Sequence, residues 1–349
     1  MSFARGPLAH CLAASLAAFL ALSPADSGHA TNAGNEHSVA IETIPVAFSP
    51  FDTARTRFGR LEWRGGFEIT SPDDRFGGLS GLVLSEDGRR MVAVSDLGWW
   101  FEASLGYVGG MLTAMTDARM GRLLDASGRR FRGKAFQDAE AVAADGRSLD
   151  GDLLVGFERE TRILRYPFGR DGMAARPTTV PIPPELAAGP DNKELEAVGR
   201  FATDGPMKGA AIAISERHLD GDGNILGWIL AGTGNRRIAL KRVRDFDVTD
   251  LAIDPRTRAL FTLERRFSPF TGAGMLIRRF AVEDLAAGGP LDGEVLLEAN
   301  QTLTIDNMEG LALTRATGGE LRLTVVSDDN YNGFQRTLLM QFALIPAVD

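Results

Sequence analysis

A single unit recurs five times along this 349-residue chain, and no other feature limits the fold as strongly. Its first-strand marks fall at positions 80, 140, 196, 250 and 309, giving spacings of 60, 56, 54 and 59 residues. Each copy opens on a short strand: Leu79-Ser80-Gly81-Leu82, Ala139-Glu140-Ala141-Val142, Leu195-Glu196-Ala197-Val198, Thr249-Asp250-Leu251-Ala252 and Met308-Glu309-Gly310-Leu311. A Gly/Asp turn follows, then an apolar strand ending in Ser95-Asp96, Glu158-Arg159, Glu216-Arg217, Glu264-Arg265 or Ser327-Asp328. Third strands (Ile163 to Pro167, Met275 to Phe280, Leu338 to Phe342) and more polar fourth strands (Arg236 to Val243, Glu294 to Leu303) complete the unit. Four strands at this period predict an all-β propeller, one blade per unit. A blade edge left open invites aggregation, so the ring must close. Leu61 to Ile69 is expected to pair with the last strands near Leu338 to Leu344. Five blades are expected, with a sixth possible only in the stretch from Trp99 to Arg132.

The N-terminal segment reads as a signal for export. Arg5 precedes an apolar run from Leu12 to Leu22, too short to span a bilayer comfortably, and Gly28-His29-Ala30 offers a cleavage site. This divides the chain into a signal peptide (1–30), a flexible leader (31–58) and the propeller domain (59–346), with a periplasmic or secreted destination. Cleavage would remove the only Cys, Cys11, and two of the four His, His10 and His29. Disulfides, thiolate zinc sites and cysteine nucleophiles are thereby excluded. His37 lies in the leader, so His218 is the one imidazole of the domain, and a Ser-His-Asp triad or multi-His metal site has at most one member. The net charge of −8 argues against nucleic acid and anionic membranes as partners. A monomer with no membrane attachment after cleavage is expected.

Hairpin geometry locates the repeated acids. The start of strand one and the end of strand two lie at the same end of an antiparallel hairpin. Glu140, Glu196, Asp250 and Glu309 are therefore expected to ring the mouth of the central channel. Asp96, Glu158, Glu216, Glu264 and Asp328 should stand one layer further out. So many like charges cannot all stay ionised unaided. Bound cations, basic partners or retained protons would each relieve them. Arg159, Arg217, Arg265 and Lys193 supply basic partners. With almost no His and no Cys, a metal here should be a hard cation held by oxygen, with Ca²⁺ the expected ion. Glu140, Glu158, Glu196, Glu216, Glu264, Glu309 and Asp328 are its candidate ligands. Lys193, Arg159, Arg217 and Arg265 are the candidate holders of an anionic substrate. The competing reading makes the acids staples that accept hydrogen bonds from neighbouring blades.

Other motifs carry less. Asp220-Gly221-Asp222-Gly223-Asn224 opens like a calcium loop but lacks Gly at the sixth position and Glu at the twelfth, so a polar hairpin turn is expected. Gly78-Leu79-Ser80-Gly81-Leu82 lacks the second Gly of a nucleophile elbow and is followed by a strand. Asp328-Asp329-Asn330-Tyr331-Asn332 suits either a site or an Asx-rich turn. Trp99-Trp100-Phe101 is expected to pack between blades.

The motifs Glu140-Ala141-Val142, Glu196-Ala197-Val198 and Asn307-Met308-Glu309-Gly310-Leu311, each leading into a strand that ends in Glu-Arg or Ser-Asp-Asp-Asn, resemble the phytase-like domain family, labelled "esterase-like activity of phytase". The resemblance covers roughly residues 60 to 345. It implies a propeller related to the calcium-dependent phytases, in which Ca²⁺ on an acidic face accepts a phosphate ester and activates water. The five clear repeats depart from the six blades of those enzymes. The expected activity is calcium-dependent hydrolysis of a small anionic ester. A non-catalytic binding propeller and a lactonase-type propeller with one channel ion are the alternatives.

Overall fold

The computed structural model describes residues 36–145, 149–190, 193–203 and 207–346, so the proposed signal peptide lies outside the described residues. The strands form five blades, each built on four antiparallel strands. Blade one comprises Leu79–Leu84, Arg90–Ser95, Trp99–Val108 and Met111–Arg122. Blade two comprises Ala139–Asp145, Asp152–Phe157, Arg162–Tyr166 and Thr178–Val180. Blade three comprises Leu195–Arg200, Ala211–Leu219, Ile225–Leu230 and Arg236–Leu240. Blade four comprises Asp247–Ile253, Leu260–Ser268, Gly272–Phe280 and Glu294–Asn300. Blade five takes Asn307–Arg315, Leu321–Asp328 and Thr337–Leu344 from the end of the chain and Leu61–Thr70 from its beginning. The stretch from Trp99 to Arg132, where a sixth blade had room, supplies the two long outer strands of blade one.

The ring closes where the sequence places the closure. Thr337–Leu344 pairs antiparallel with Leu61–Thr70, Leu339 opposite Phe67 and Phe342 opposite Trp63. This joins the two ends of the propeller through backbone hydrogen bonds and leaves no inner edge exposed. An apolar cluster fills each of the five gaps between neighbouring blades. Trp100 packs between blades one and two and Trp99 between blades one and five, as expected of inter-blade aromatics.

Residues 36–58 are ordered on the propeller and do not behave as a leader. Glu36–Ser38 pairs with Met111–Arg122, and Glu42–Pro45 with Leu61–Thr70. Phe48 and Phe58 are buried, with the Phe48 ring 4.8 Å from Phe342. Two outer blade edges gain a covering strand in this way, which removes the exposed hydrogen-bonding groups a bare edge would present.

Candidate active site

Each inner strand carries a β-bulge near its start. The bulge leaves Glu140 unpaired in blade two, Glu196 in blade three, Thr249 in blade four and Glu309 in blade five. In blade one it spans Ser80 and Gly81. A bulge bends the strand and re-aims the unpaired side chain. This is how the repeated acid reaches the channel mouth although its neighbours alternate between inter-blade gaps.

The register corrects the sequence alignment in blade four. Leu195 faces Ser215 in blade three, Met308 faces Ser327 in blade five, and Val248 faces Glu264 in blade four. Glu264 therefore matches Ser215, and Arg265 matches Glu216. A slip of one residue moves a side chain to the other face of a strand. Glu264 accordingly does not join the other acids. It is fully buried inside its blade, 2.7 Å from the equally buried Arg278 guanidinium, and accepts a hydrogen bond from Thr262. Asp250 matches Ala197 and not Glu196. It accepts backbone hydrogen bonds from Leu251 at 2.8 Å and from Leu311 of blade five at 2.7 Å, so it is an inter-blade staple. At the equivalent positions blade four carries Thr249 and Arg265 where blades two, three and five carry two acids.

What remains forms one cavity of about 750 Å³ at this end of the channel. Asp96, Glu140, Glu158, Glu196, Glu216, Glu309 and Asp328 line it, together with Lys134, Arg159, Lys193 and Arg265. Arg217 lies outside this lining, its Nε 2.8 Å from Asp247 of the next blade. Arg159 and Glu158 both reach the cavity because their strand ends at Phe157 and a turn follows. Lys193 contacts Glu216. Arg265 is the internal cation, 2.9 Å from Glu309 and 3.6 Å from Glu216.

Two residues important here escape the sequence reading. Asp138 precedes the inner strand of blade two, is buried, and lies 2.5 Å from Arg159 Nε. Lys134 lies on the short helix Lys134–Gln137 and reaches Asp96 at 2.7 Å. One signal could have revealed Asp138: an acid stands two residues before the bulged residue in three units, at Asp138, Glu194 and Asp247.

Electrostatics mark the acid-rich side. Burial, followed by the charges of Glu216 and Asp138, raises the Glu158 carboxyl to about 7. Burial raises Glu309 to about 7 against the opposing pull of Arg265. Asp328 rises to about 8 through burial and the nearby Glu309. Glu140 and Glu196 are pushed well above the usual carboxylate range by burial, reinforced by Asp138 and Glu216 respectively.

The oxygen donors suit a hard cation. Asp138, Glu140 and Glu158 bring one carboxylate oxygen each within 4.8 Å of one another, and so do Glu158, Glu196 and Glu216. Glu158 belongs to both trios, and its buried Oε1 has no hydrogen-bond partner among the described residues. A bare carboxylate oxygen is costly to bury, and a cation between the trios would satisfy it. A larger recess of about 1040 Å³, lined by Arg122, Arg129, Arg130, Arg132 and Arg162, has the opposite character and includes Asp125 as its one acid.

Two solved structures show a distant likeness to the chain. A gluconolactonase from Xanthomonas campestris is 13% identical, with 88% of each chain covered and a TM-score of 0.40. U3-55K is 8% identical over 76% of this chain and 95% of its own, with a TM-score of 0.38. These are distant likenesses. No curated protein sequence matches the chain. The family model "Phytase-like: Esterase-like activity of phytase" matches residues 74–331, which takes in four complete blades and the two inner strands of the fifth. By that match, the chain belongs to the phytase-like family.

Proposed function

We propose that this propeller is an exported, calcium-dependent hydrolase of phosphate or other esters, with the acidic cavity as its active site. The observation that carries the reading is the pair of carboxylate trios sharing Glu158, whose buried Oε1 lacks a partner among the described residues. Asp138, Glu140, Glu158, Glu196 and Glu216 would hold Ca²⁺ on the blade-two and blade-three side. Bound there, Ca²⁺ would supply Lewis acidity and lower the pKa of water. Lys193, Arg159 and Lys134 stand around the same cavity with ammonium and guanidinium donors suited to an anionic ester group. Arg265 pairs with Glu309 on the blade-five side and also reaches Glu216 of blade three. Glu309 and Asp328, with carboxyls raised to about 7 and 8, can hold or release a proton near neutral pH beside a bound ester. The export part rests on the N-terminal sequence alone.

The test is turnover of phytate, nitrophenyl phosphate, nitrophenyl acetate and a sugar lactone by purified protein, with Ca²⁺ and with chelator. Calcium-dependent turnover of at least one ester is expected. Hydrolysis confined to the lactone would assign the chain to the lactonase alternative. No calcium-dependent turnover of any substrate contradicts the proposal.

A further inference from the structure

The floor of the cavity is charged, yet part of its rim is apolar. Phe267 and Phe334 line the same cavity as Glu216, Arg265 and Asp328. Phe334 is 100% exposed and Phe267 is 70% exposed, with Phe270 beside it at 96%. A large aromatic ring held in water gains nothing for the fold, so exposed rings grouped at a cavity call for a binding partner.

Both rings are presented by defined backbone. Phe267 stands on an extension of blade four, where the second strand continues past Glu264 and stays paired to Ser268, opposite Gly272. The tip of this hairpin is tied by a hydrogen bond from the Phe270 N–H to Ser268 Oγ at 3.2 Å. Phe334 lies on the blade-five loop after Asp328. Its N–H donates to Asn332 Oδ1 at 3.0 Å, and Asn332 Nδ2 donates to Gln335 Oε1 at 2.7 Å. Asn330 donates its N–H to Asp328 Oδ1 at 2.6 Å, which links this loop to the cavity floor. The backbone that carries both rings is thus tied down on adjacent blades.

We infer that Phe267 and Phe334 form an apolar clamp for the apolar portion of the bound ester. The substrate class is then an amphipathic ester: an oxygen-rich, anionic end among Lys193, Arg265 and the carboxylates, and an aryl or alkyl group between the two rings. This rests on the cavity being the site proposed above, but it concerns binding and not turnover. A molecule filling the cavity touches both surfaces, since the same cavity contains them.

The experiment compares two non-hydrolysable probes on the full chain in saturating Ca²⁺, phenylphosphonate and methylphosphonate, by calorimetry. Phenylphosphonate should bind about tenfold tighter, the size expected of aromatic contacts. Phe267→Ala and Phe334→Ala should each lower that preference about threefold and leave methylphosphonate binding unchanged. Their melting temperatures should match the parent, because both side chains are exposed. Equal affinity for the two probes, binding of neither, or a preference surviving in the double variant overturns the inference. Attachment to phosphatidylcholine vesicles, lost in the double variant and without phenyl preference, would assign the rings to a membrane and also overturn it. A phenyl preference without turnover of any ester would sink the hydrolase reading and leave the clamp standing.

Discussion

The Arg265 guanidinium lies 2.9 Å from the Glu309 carboxylate, at the register position that holds an acid in the four other blades. Asp96, Glu158, Glu216 and Asp328 occupy that position elsewhere. One blade therefore brings its own cation to an otherwise acidic ring, and the ring is divided. Arg265 pairs with Glu309 on the blade-five side, whereas on the blade-two and blade-three side Lys193 and Arg159 pair with Glu216 and Asp138.

Removing that cation should shift the balance. Arg265→Gln leaves Glu309 and Glu216 without their shared partner. Breaking a buried pair costs about 3–5 kcal/mol, and here about 2 kcal/mol is expected because Arg265 keeps some contact with solvent. Chemical denaturation in chelator should show the loss. Added Ca²⁺ should recover more stability in this variant than in the parent, since the freed carboxylates can take up an ion. A variant as stable as the parent in chelator would contradict the role of Arg265.

Glu264 and Glu158 should behave in opposite ways despite their matching places in the sequence. Glu264→Gln weakens a fully buried ion pair with Arg278 and should cost about 3 kcal/mol, with calcium affinity unchanged. Glu158→Gln removes the carboxylate common to both trios and should reduce calcium affinity at least tenfold, with little loss of stability in chelator. Calorimetry and denaturant melts on the two proteins separate these outcomes. Equal effects on both measurements would mean that Glu158 is a staple.

Stability should depend on pH in an unusual direction. Glu158, Glu309 and Asp328 titrate at about 7, 7 and 8 in the native state, above their unfolded values. The native protein thus binds more protons than the unfolded chain between about pH 4.5 and 8. Their contribution is fully present below the unfolded values and is lost as pH rises through the folded ones. In chelator the melting temperature should fall from pH 5 to pH 8. Saturating Ca²⁺ should flatten that fall, because the ion stabilises the ionised carboxylates. A melting temperature that rises over this range in chelator contradicts the account.

Much of the fold is legible in the sequence because a repeat constrains each copy by the others. The period, the four-strand unit and the closure of Leu61 to Ile69 onto the last strand follow from it. Residues 36–58 were not legible, since edge-covering strands need no repeat signature and Phe48 shows its burial only once Phe342 stands beside it. The gathering of Glu140, Glu158, Glu196 and Glu216 around one cavity was legible. It was misread in blade four because Glu264-Arg265 imitates Glu158-Arg159 and Glu216-Arg217, whereas the register is set by the bulge at Thr249. Aligning the inner strands on Val142, Val198, Leu251 and Leu311 would have placed Thr249 at the acid position. Lys134 belongs to no repeat column, and only the folded chain brings it to Asp96.

If the shared carboxylate of Glu158 marks a cation site, a calcium titration by calorimetry at pH 8 will show it. Saturable calcium binding to the parent protein is expected, retained in Glu264→Gln and weakened at least tenfold in Glu158→Gln. No binding to the parent, or binding that Glu158→Gln leaves intact, would contradict it.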